Sequence, residues 1–359
     1  MCKKSIAVLL ITLAIVTMLG ACAPKVEPTK APPPTKAPEA PTEPAAATEV
    51  PQGEKYLVGL ASFQMGNDWN IQLADGAKGV MESYGWEVLH TNAEFNTDNQ
   101  IMALEGFLSR KVDAVIVGGG MAPALAPAIQ ALDAAGIKVV AIDITLPECV
   151  SNIFPDNYMT TELLGVYSIN KMNARGGKAV HLSIPGSGWH TVEIRDQLAG
   201  LIFDLEGVEV TMLDSGAADA VSKSMTAVRS ALLSTPDLDM VYCSWGMPAI
   251  GATRAIREAG KQDDVFVVCT DADRVVLEEM AKEDSPIAAV IGQQPFIMGE
   301  MAAGTLMRAF NGETDIPKIQ FAPFVFITKD PNLVPPGPTV VTPEEAWAII
   351  YPDVPMGGE

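Results

Sequence analysis

The chain has 359 residues, 48% of them hydrophobic, and a formal net charge of -20. The length allows more than one domain with a large buried core, and the charge excludes a partner gripped by its phosphate backbone, such as nucleic acid. Because the acidity is spread along the chain, it disfavours strongly anionic solutes and leaves neutral and cationic ones open.

In chain order, the first element lies ahead of the folded body. Lys3 and Lys4, the apolar run from Ile6 to Met18 and the ending Leu19-Gly20-Ala21-Cys22 have the parts of an export signal in order. The run is shorter than the roughly 20 residues of a spanning helix. Its ending resembles a bacterial lipobox, which implies removal of residues 1–21 and lipid on the Cys22 thiol. Several acyl chains, at about 0.8 kcal/mol per buried methylene, would hold the product to a membrane. Residues 22–52 are then the lipidated Cys followed by Pro, Ala, Thr, Glu and Lys, with Pro28-Thr29-Lys30-Ala31-Pro32 nearly repeated as Pro34-Thr35-Lys36-Ala37-Pro38. Without aromatic residues this stretch cannot bury enough surface to offset the entropy of ordering, so it reads as a disordered tether. Fully extended it would reach on the order of 90 Å.

From Tyr56 the pattern changes to short apolar runs separated by longer amphipathic segments. Strands are predicted at Tyr56 to Phe63, Trp86 to His90, Ala114 to Val117 and Val139 to Ile142. Leu73, Ala77, Val80 and Tyr84 recur at helical spacing between the first two. A second helix is predicted over Leu125 to Ala135, with Gly136 at its C-terminal cap. The series then repeats. Strands are predicted near Ala179 to Ile184, Val208 to Leu213, Met240 to Cys243, Val265 to Thr270 and Ile287 to Ile291, with helices near Thr161 to Asn173, Val192 to Leu205, Ser222 to Leu233 and Ala249 to Glu258. Parallel strands need crossover helices, so the fold class is α/β, with two doubly wound parallel-sheet lobes.

Beyond the signal and the lipidated position, Cys149, Cys243 and Cys269 are an odd number without a C-x-x-C, and are expected to be buried free thiols rather than a disulfide framework. His90, His181 and His190 lack metal-ligand spacing, so neither a metal nor a cofactor is expected. Gly118-Gly119-Gly120 follows a strand, but Pro123 breaks the dinucleotide fingerprint, leaving a turn that lets a ligand approach. Gly186-Ser187-Gly188 does not satisfy Gly-x-Ser-x-Gly, so no nucleophile or other catalytic residue is assigned.

Ligands of doubly wound sheets gather at the carboxyl ends of strands, where Asn67, Trp69, Asp143, Asp271 and Gln293 fall. An Asp after a strand is also the usual cap of the next helix, and a lone Trp usually packs in a core. Asp273 reads as a solvated cap and His190 as a rim residue.

The stretches Gly66-Asn67-Asp68-Trp69-Asn70, Asp75-Gly76-Ala77, Ile142-Asp143, Pro155-Asp156-Asn157, Ala249-Ile250-Gly251-Ala252, Thr270-Asp271 and Gln293-Gln294-Pro295 together resemble the periplasmic binding proteins of the ribose-binding type, over roughly Tyr56 to Asp330. The resemblance implies the type I arrangement of two lobes joined by a three-segment hinge, closing over a sugar. Its boundaries would be 56–157 plus 294–320 for one lobe, 158–293 plus 321–345 for the other, and a tail at 346–359. It implies a monomeric, extracytoplasmic receptor on the outer face of the membrane or in the periplasm, delivering a small neutral sugar or polyol to an ABC permease and its ATPase. A sensing role toward a chemotaxis or kinase partner is the alternative.

Carried over by position, Asp143 and Asp271 would take paired hydroxyls, one from each lobe, Asn67 would hydrogen-bond the sugar, and Trp69 would stack on it. Asn70 stands where the family often has an aromatic. Ile144 stands where it commonly has Arg, which argues against ribose itself. The second-lobe Arg position falls on Gln197, with Arg195 as substitute if the helix is turned differently. Trp245 replaces the usual Asn, and Trp189 lies in the loop Ser187-Gly188-Trp189-His190, widening the aromatic surface.

Overall fold

The computed structural model describes residues 55–173 and 176–356. The export signal, Cys22 and the tether lie outside the described residues.

Chain order alternates strands and helices: β1 (Leu57–Ser62), α1 (Asp68–Ser83), β2 (Glu87–Asn92), α2 (Thr97–Arg110), β3 (Ala114–Gly118), α3 (Ala122–Ala134), β4 (Lys138–Ile142) and β5 (Ser151–Pro155). There follow α4 (Asn157–Met172), β6 (Gly177–Ser183), α5 (His190–Leu205), β7 (Val208–Asp214), α6 (Ala220–Ser234), β8 (Met240–Cys243), α7 (Gly246–Glu258), β9 (Phe266–Thr270), α8 (Arg274–Ala281) and β10 (Ile287–Gln293). The last elements are α9 (Pro295–Phe310), β11 (Ile319–Ala322), β12 (Phe324–Thr328), β13 (Val340–Val341) and α10 (Pro343–Ile350).

The strands form two sheets. One runs in the order β11-β5-β4-β3-β1-β2 and the other β13-β12-β10-β9-β8-β6-β7. Every pair is parallel except β10 with β12, whose antiparallel register joins Gln293 to Phe324. Central strands such as β3 and β8 are buried along their whole length, because helices cover both faces. The helices begin where a side chain satisfies the first free N–H groups: Asn67 caps α1, Asn96 caps α2 and Asp156 caps α4.

The chain passes between the sheets three times: from β5 to α4, from β10 to α9, and from β11 to β12. Each passage holds a proline, respectively Pro155, Pro295 and Pro323. Lacking an N–H and fixed in φ, a proline there cannot extend either sheet's ladder across the gap. The third passage falls at Pro323, after β11 has joined the first sheet, so the expected lobe boundary between 320 and 321 moves to the end of that short edge strand.

The expected tail from 346 is a packed helix instead. In α10, Ala346 and Trp347 are buried in the second lobe's core together with Tyr351. Thr342 and Glu345 close a capping box with Pro343 at the first helical position.

Three glycines, of which Gly76 and Gly251 fall in the motifs above, mark close helix contacts. A Cβ on Gly76 of α1 would collide with the backbone carbonyl of Phe296 in α9, and one on Gly299 of α9 with the carbonyl of Leu73. In the other lobe, Gly251 of α7 abuts the carbonyl of Val221 in α6. Backbone cannot step aside as a flexible side chain can, so Gly299→Ala is expected to lower stability by about 2–3 kcal/mol, read as a shifted urea midpoint at unchanged slope.

Candidate ligand-binding site

Between the two sheets lies a cavity of about 140 Å³. A comparable engineered cavity, of roughly 150 Å³, holds one benzene ring, so this one has room for a single ring. Its walls include Asn67, Trp69, Asn70, Asp143, Trp189, Arg195, Trp245, Asp271 and Gln293, all of them site residues expected from the sequence. Gln197 is the exception. It is exposed on α5 and outside the cavity wall, whereas Arg195, two positions earlier, is buried and lines it. Two positions turn a helix by about 200°, so the two side chains leave opposite faces.

Asp143 follows β4 and Asp271 follows β9, and both sit in the left-handed region, with φ of 57° and 77°. For a residue with a Cβ this conformation is strained by about 1–3 kcal/mol, a departure that clusters at functional sites. It turns both carboxylates out of the strand direction and into the cavity. One Asp143 oxygen accepts a 3.4 Å hydrogen bond from the Thr191 hydroxyl of α5, while the other is buried without a partner. Enclosure by protein pushes the Asp143 carboxyl up to about 7, with Asp271 adding to the rise and Arg195 opposing it. Asp271 is likewise raised by burial, against the charge of Arg195 and a hydrogen bond from the Gly246 N–H at the start of α7. Asp271 thus also serves a helix terminus, that of α7 rather than of the helix following it.

Arg195 is held by its own bonds. Its Nε donates to Asn157 Oδ1 at 2.7 Å, and an Nη donates to the Ser244 carbonyl at 2.9 Å. Asn157 opens α4 directly after the first interlobe passage, so the cavity's cation is tied to the hinge. Beside it, His181, Ser183, Ser244 and Asp196 form a buried network. It resembles a hydrolytic triad in composition only. Asp196 and Ser244 both bond His181 Nε2, and Nδ1 has no partner, so the imidazole cannot relay a proton from serine to aspartate. Burial, which would raise Asp196, is outweighed by the hydrogen bonds from His181, Ser183 and Ser244, and the carboxyl is held below its ordinary range.

The aromatic groups close the site. Trp189 stacks on Phe95 of the opposite lobe, with centroids 6.2 Å apart and planes 20° from parallel. Trp69 donates from Nε1 to Gln293 Oε1 at 2.8 Å, joining α1 to the end of β10. Four buried polar atoms among the lining residues have no hydrogen-bond partner: the free oxygen of Asp143, Nε1 of Trp189, Nε1 of Trp245 and Nε2 of Gln293. Buried groups of this kind are rarely left unpaired. One acceptor and three donors around a ring-sized space match a guest rich in hydroxyls, since each hydroxyl both donates and accepts.

Asn67 is less available than the sequence implies. Its Oδ1 already accepts from the Asn70 backbone N–H and from Asn70 Nδ2, so it presents only its amide nitrogen. Asp273 is not a solvated cap. It is buried, makes no capping bond to α8, and accepts from the Trp69 backbone N–H across the cleft. Enclosure raises its carboxyl to about 7, with Asp271 and Asp68 adding to the effect. Next to it, Arg274 grips Asp68 at 2.7 Å. Phe63, Gln64, Phe95 and Thr191 also line the wall without having been singled out as ligand residues, and Gly119 and Gly120 line it as the expected ligand-approach turn. Gly119 and Gly120 have φ of 69° and 121°, and Gln100 holds their turn through the Gly119 carbonyl at 3.0 Å. His190 is at the exposed rim.

Residues 58–314 match the family model described as periplasmic binding protein domain. The ribose import binding protein RbsB of Bacillus subtilis (strain 168) is 24% identical over 260 residues, covering 69% of this chain and 80% of that protein. The D-ribose/D-allose-binding protein of Pseudomonas aeruginosa PAO1 is 27% identical over 276 residues, covering 73% and 84%. Among solved structures, an ABC sugar transporter subunit from Rhodobacter sphaeroides 2.4.1 shares the fold at a TM-score of 0.72 and 23% identity, covering 77% of this chain and 98% of its own.

Proposed function

The chain belongs to the periplasmic binding protein family, and from that premise we propose that it captures one neutral monosaccharide or similar polyol between its lobes and delivers it to the permease of an ABC importer. The family consists of extracytoplasmic substrate-binding proteins of transporters, not enzymes. No helix among the described residues is long and apolar enough to cross a membrane.

The observation that carries this reading is the ring-sized cavity in which an Asp143 oxygen, the Trp189 and Trp245 indole N–H groups and the Gln293 amide are buried unpaired. A carboxylate accepting from two neighbouring hydroxyls makes charge-assisted bonds, which strengthen where water is excluded. Trp faces cover the C–H surface that a sugar also presents. A guest that bonds residues of both lobes favours their approach, shifting an open and closed equilibrium by its differential affinity.

The test is thermal unfolding of the purified protein with D-ribose, D-allose, D-galactose, L-arabinose and their polyols. At one hundred times the dissociation constant, a bound member stabilises by about 2.7 kcal/mol, a rise in melting temperature of roughly 5–10 °C. Tryptophan emission should change in step. No shift with any neutral sugar or polyol would sink the proposal. Separately, Cys22→Ser is expected to move the protein from the membrane fraction to the soluble one.

A further inference from the structure

A second cavity, of about 450 Å³, adjoins the first, and the two share Gln64, Asn67, Phe95 and Trp245 in their walls. Resting on the reading of the inner cavity as a monosaccharide site, we propose that the outer cavity receives an uncharged apolar substituent, such as an alkyl, thioalkyl or aryl group, carried by that sugar.

The division of the walls supports this. Asp143, Asp271, Arg195 and Gln293, the groups suited to hydroxyls, line only the inner cavity. Apart from the shared residues, Gly66 and the polar Asp219, Ser222 and Arg254, the outer wall is formed by small or apolar side chains, among them Ala218, Val221, Met225 and Met247, on the loop before α6, on α6 itself and at the start of α7. Methionine side chains are flexible and polarisable, so they fit irregular apolar groups without a fixed shape. Charges of both signs, Asp219 and Arg254, also stand on this wall, which creates no demand for a charged guest.

Trp245 belongs to both cavities, so one indole face can meet the ring and its substituent together. The outer cavity, like the inner, takes its walls from both lobes: Gln64, Gly66, Asn67 and Phe95 come from the first, and its other lining residues from the second. A substituent lying there adds contacts across the cleft that a bare sugar lacks, and so favours the closed arrangement further.

The experiment is calorimetric titration of the purified full-length protein with matched pairs: ribose against 5-methylthioribose and phenyl ribofuranoside, and galactose or allose against their phenyl glycosides. The expected result is at least tenfold tighter binding of a substituted member than of its parent. Ala218→Trp, at an exposed position of the outer wall, should erase that gain while leaving parent affinity and the unliganded melting temperature unchanged. If parents bind and no substituted member binds tighter, the outer cavity is a solvent vestibule and this inference fails while the monosaccharide reading stands. If Ala218→Trp leaves the gain intact, the substituent lies elsewhere and the inference also fails. If neither parents nor derivatives bind, both readings fall.

Discussion

Replacing Asp143 with Asn is expected to abolish stabilisation by sugar and, at the same time, to make the unliganded protein more stable at pH 8. The carboxyl is enclosed, its backbone is held at φ 57°, one of its oxygens lacks a partner, and burial has raised it from 3.8 to about 7. A group whose folded-state pKa lies above its unfolded value binds more protons when folded. Its favourable contribution is therefore complete below about pH 4 and lost as pH rises through 7. At about 1.4 kcal/mol per pH unit the loss is on the order of 4 kcal/mol. Asparagine keeps the shape, tolerates the left-handed backbone and carries no charge, so it escapes this loss.

Urea unfolding of the wild type from pH 4 to 8 should show stability falling with pH, and the variant should show a shallower fall. Some slope will remain, because Asp273 and Asp271 are raised by the same enclosure. The loss of binding follows from exchanging a double acceptor for an amide that offers one oxygen to two hydroxyls. A variant that bound sugar normally, or that was less stable than wild type at pH 8, would refute this account of Asp143. Retaining a destabilising carboxylate is the usual relation between stability and a site that must wait for its partner.

Arg195→Met is expected to act in the opposite direction. Removing the guanidinium leaves Asn157 Oδ1 and the Ser244 carbonyl without their donors. It also takes away the positive charge that favours ionisation of Asp143 and Asp271 and opposes the rise that burial imposes. Breaking a buried charged cluster by deleting one member costs about 3–5 kcal/mol. The deficit should be largest near pH 8, where the carboxylates are ionised, and smaller near pH 5, where they take up protons instead. A pH-independent deficit would mean that only the two hydrogen bonds had been lost. An absence of any deficit would mean that Arg195 carries no load in the unliganded state.

Much of the architecture was legible because parallel strands covered on both faces must be apolar throughout. Ala114 to Val117, Val139 to Ile142 and Val265 to Thr270 announce themselves as unbroken runs. The two carboxylates were legible for a related reason: a polar residue immediately after such a run stands at the sheet's carboxyl edge.

What was not legible depends on contacts made far along the chain. Phe95 reaches the cavity because Glu94 and Phe95 both adopt left-handed backbone, and no glycine advertises that turn. Asp273 bonds a backbone group more than two hundred residues away, so its local setting suggests only a cap. The choice between Arg195 and Gln197 turned on helix phase, which a two-residue spacing reverses. β11 is short, at a sheet edge and largely unburied, so its pattern is faint. The final helix did carry a signal, Thr342-Pro343-Glu344-Glu345, whose capping chemistry identifies a helix start even within a proline-rich stretch.

The three prolines in the passages between the lobes bear on how occupancy is communicated. With φ locked by a proline at each of the three crossings, every connecting segment has one torsion fewer with which the lobes could slide or twist past each other. Three such constrained crossings would let the lobes swing like a door on its pins rather than wander like two beads on strings. A partner touching any point along either rim would then sense whether the chamber is filled.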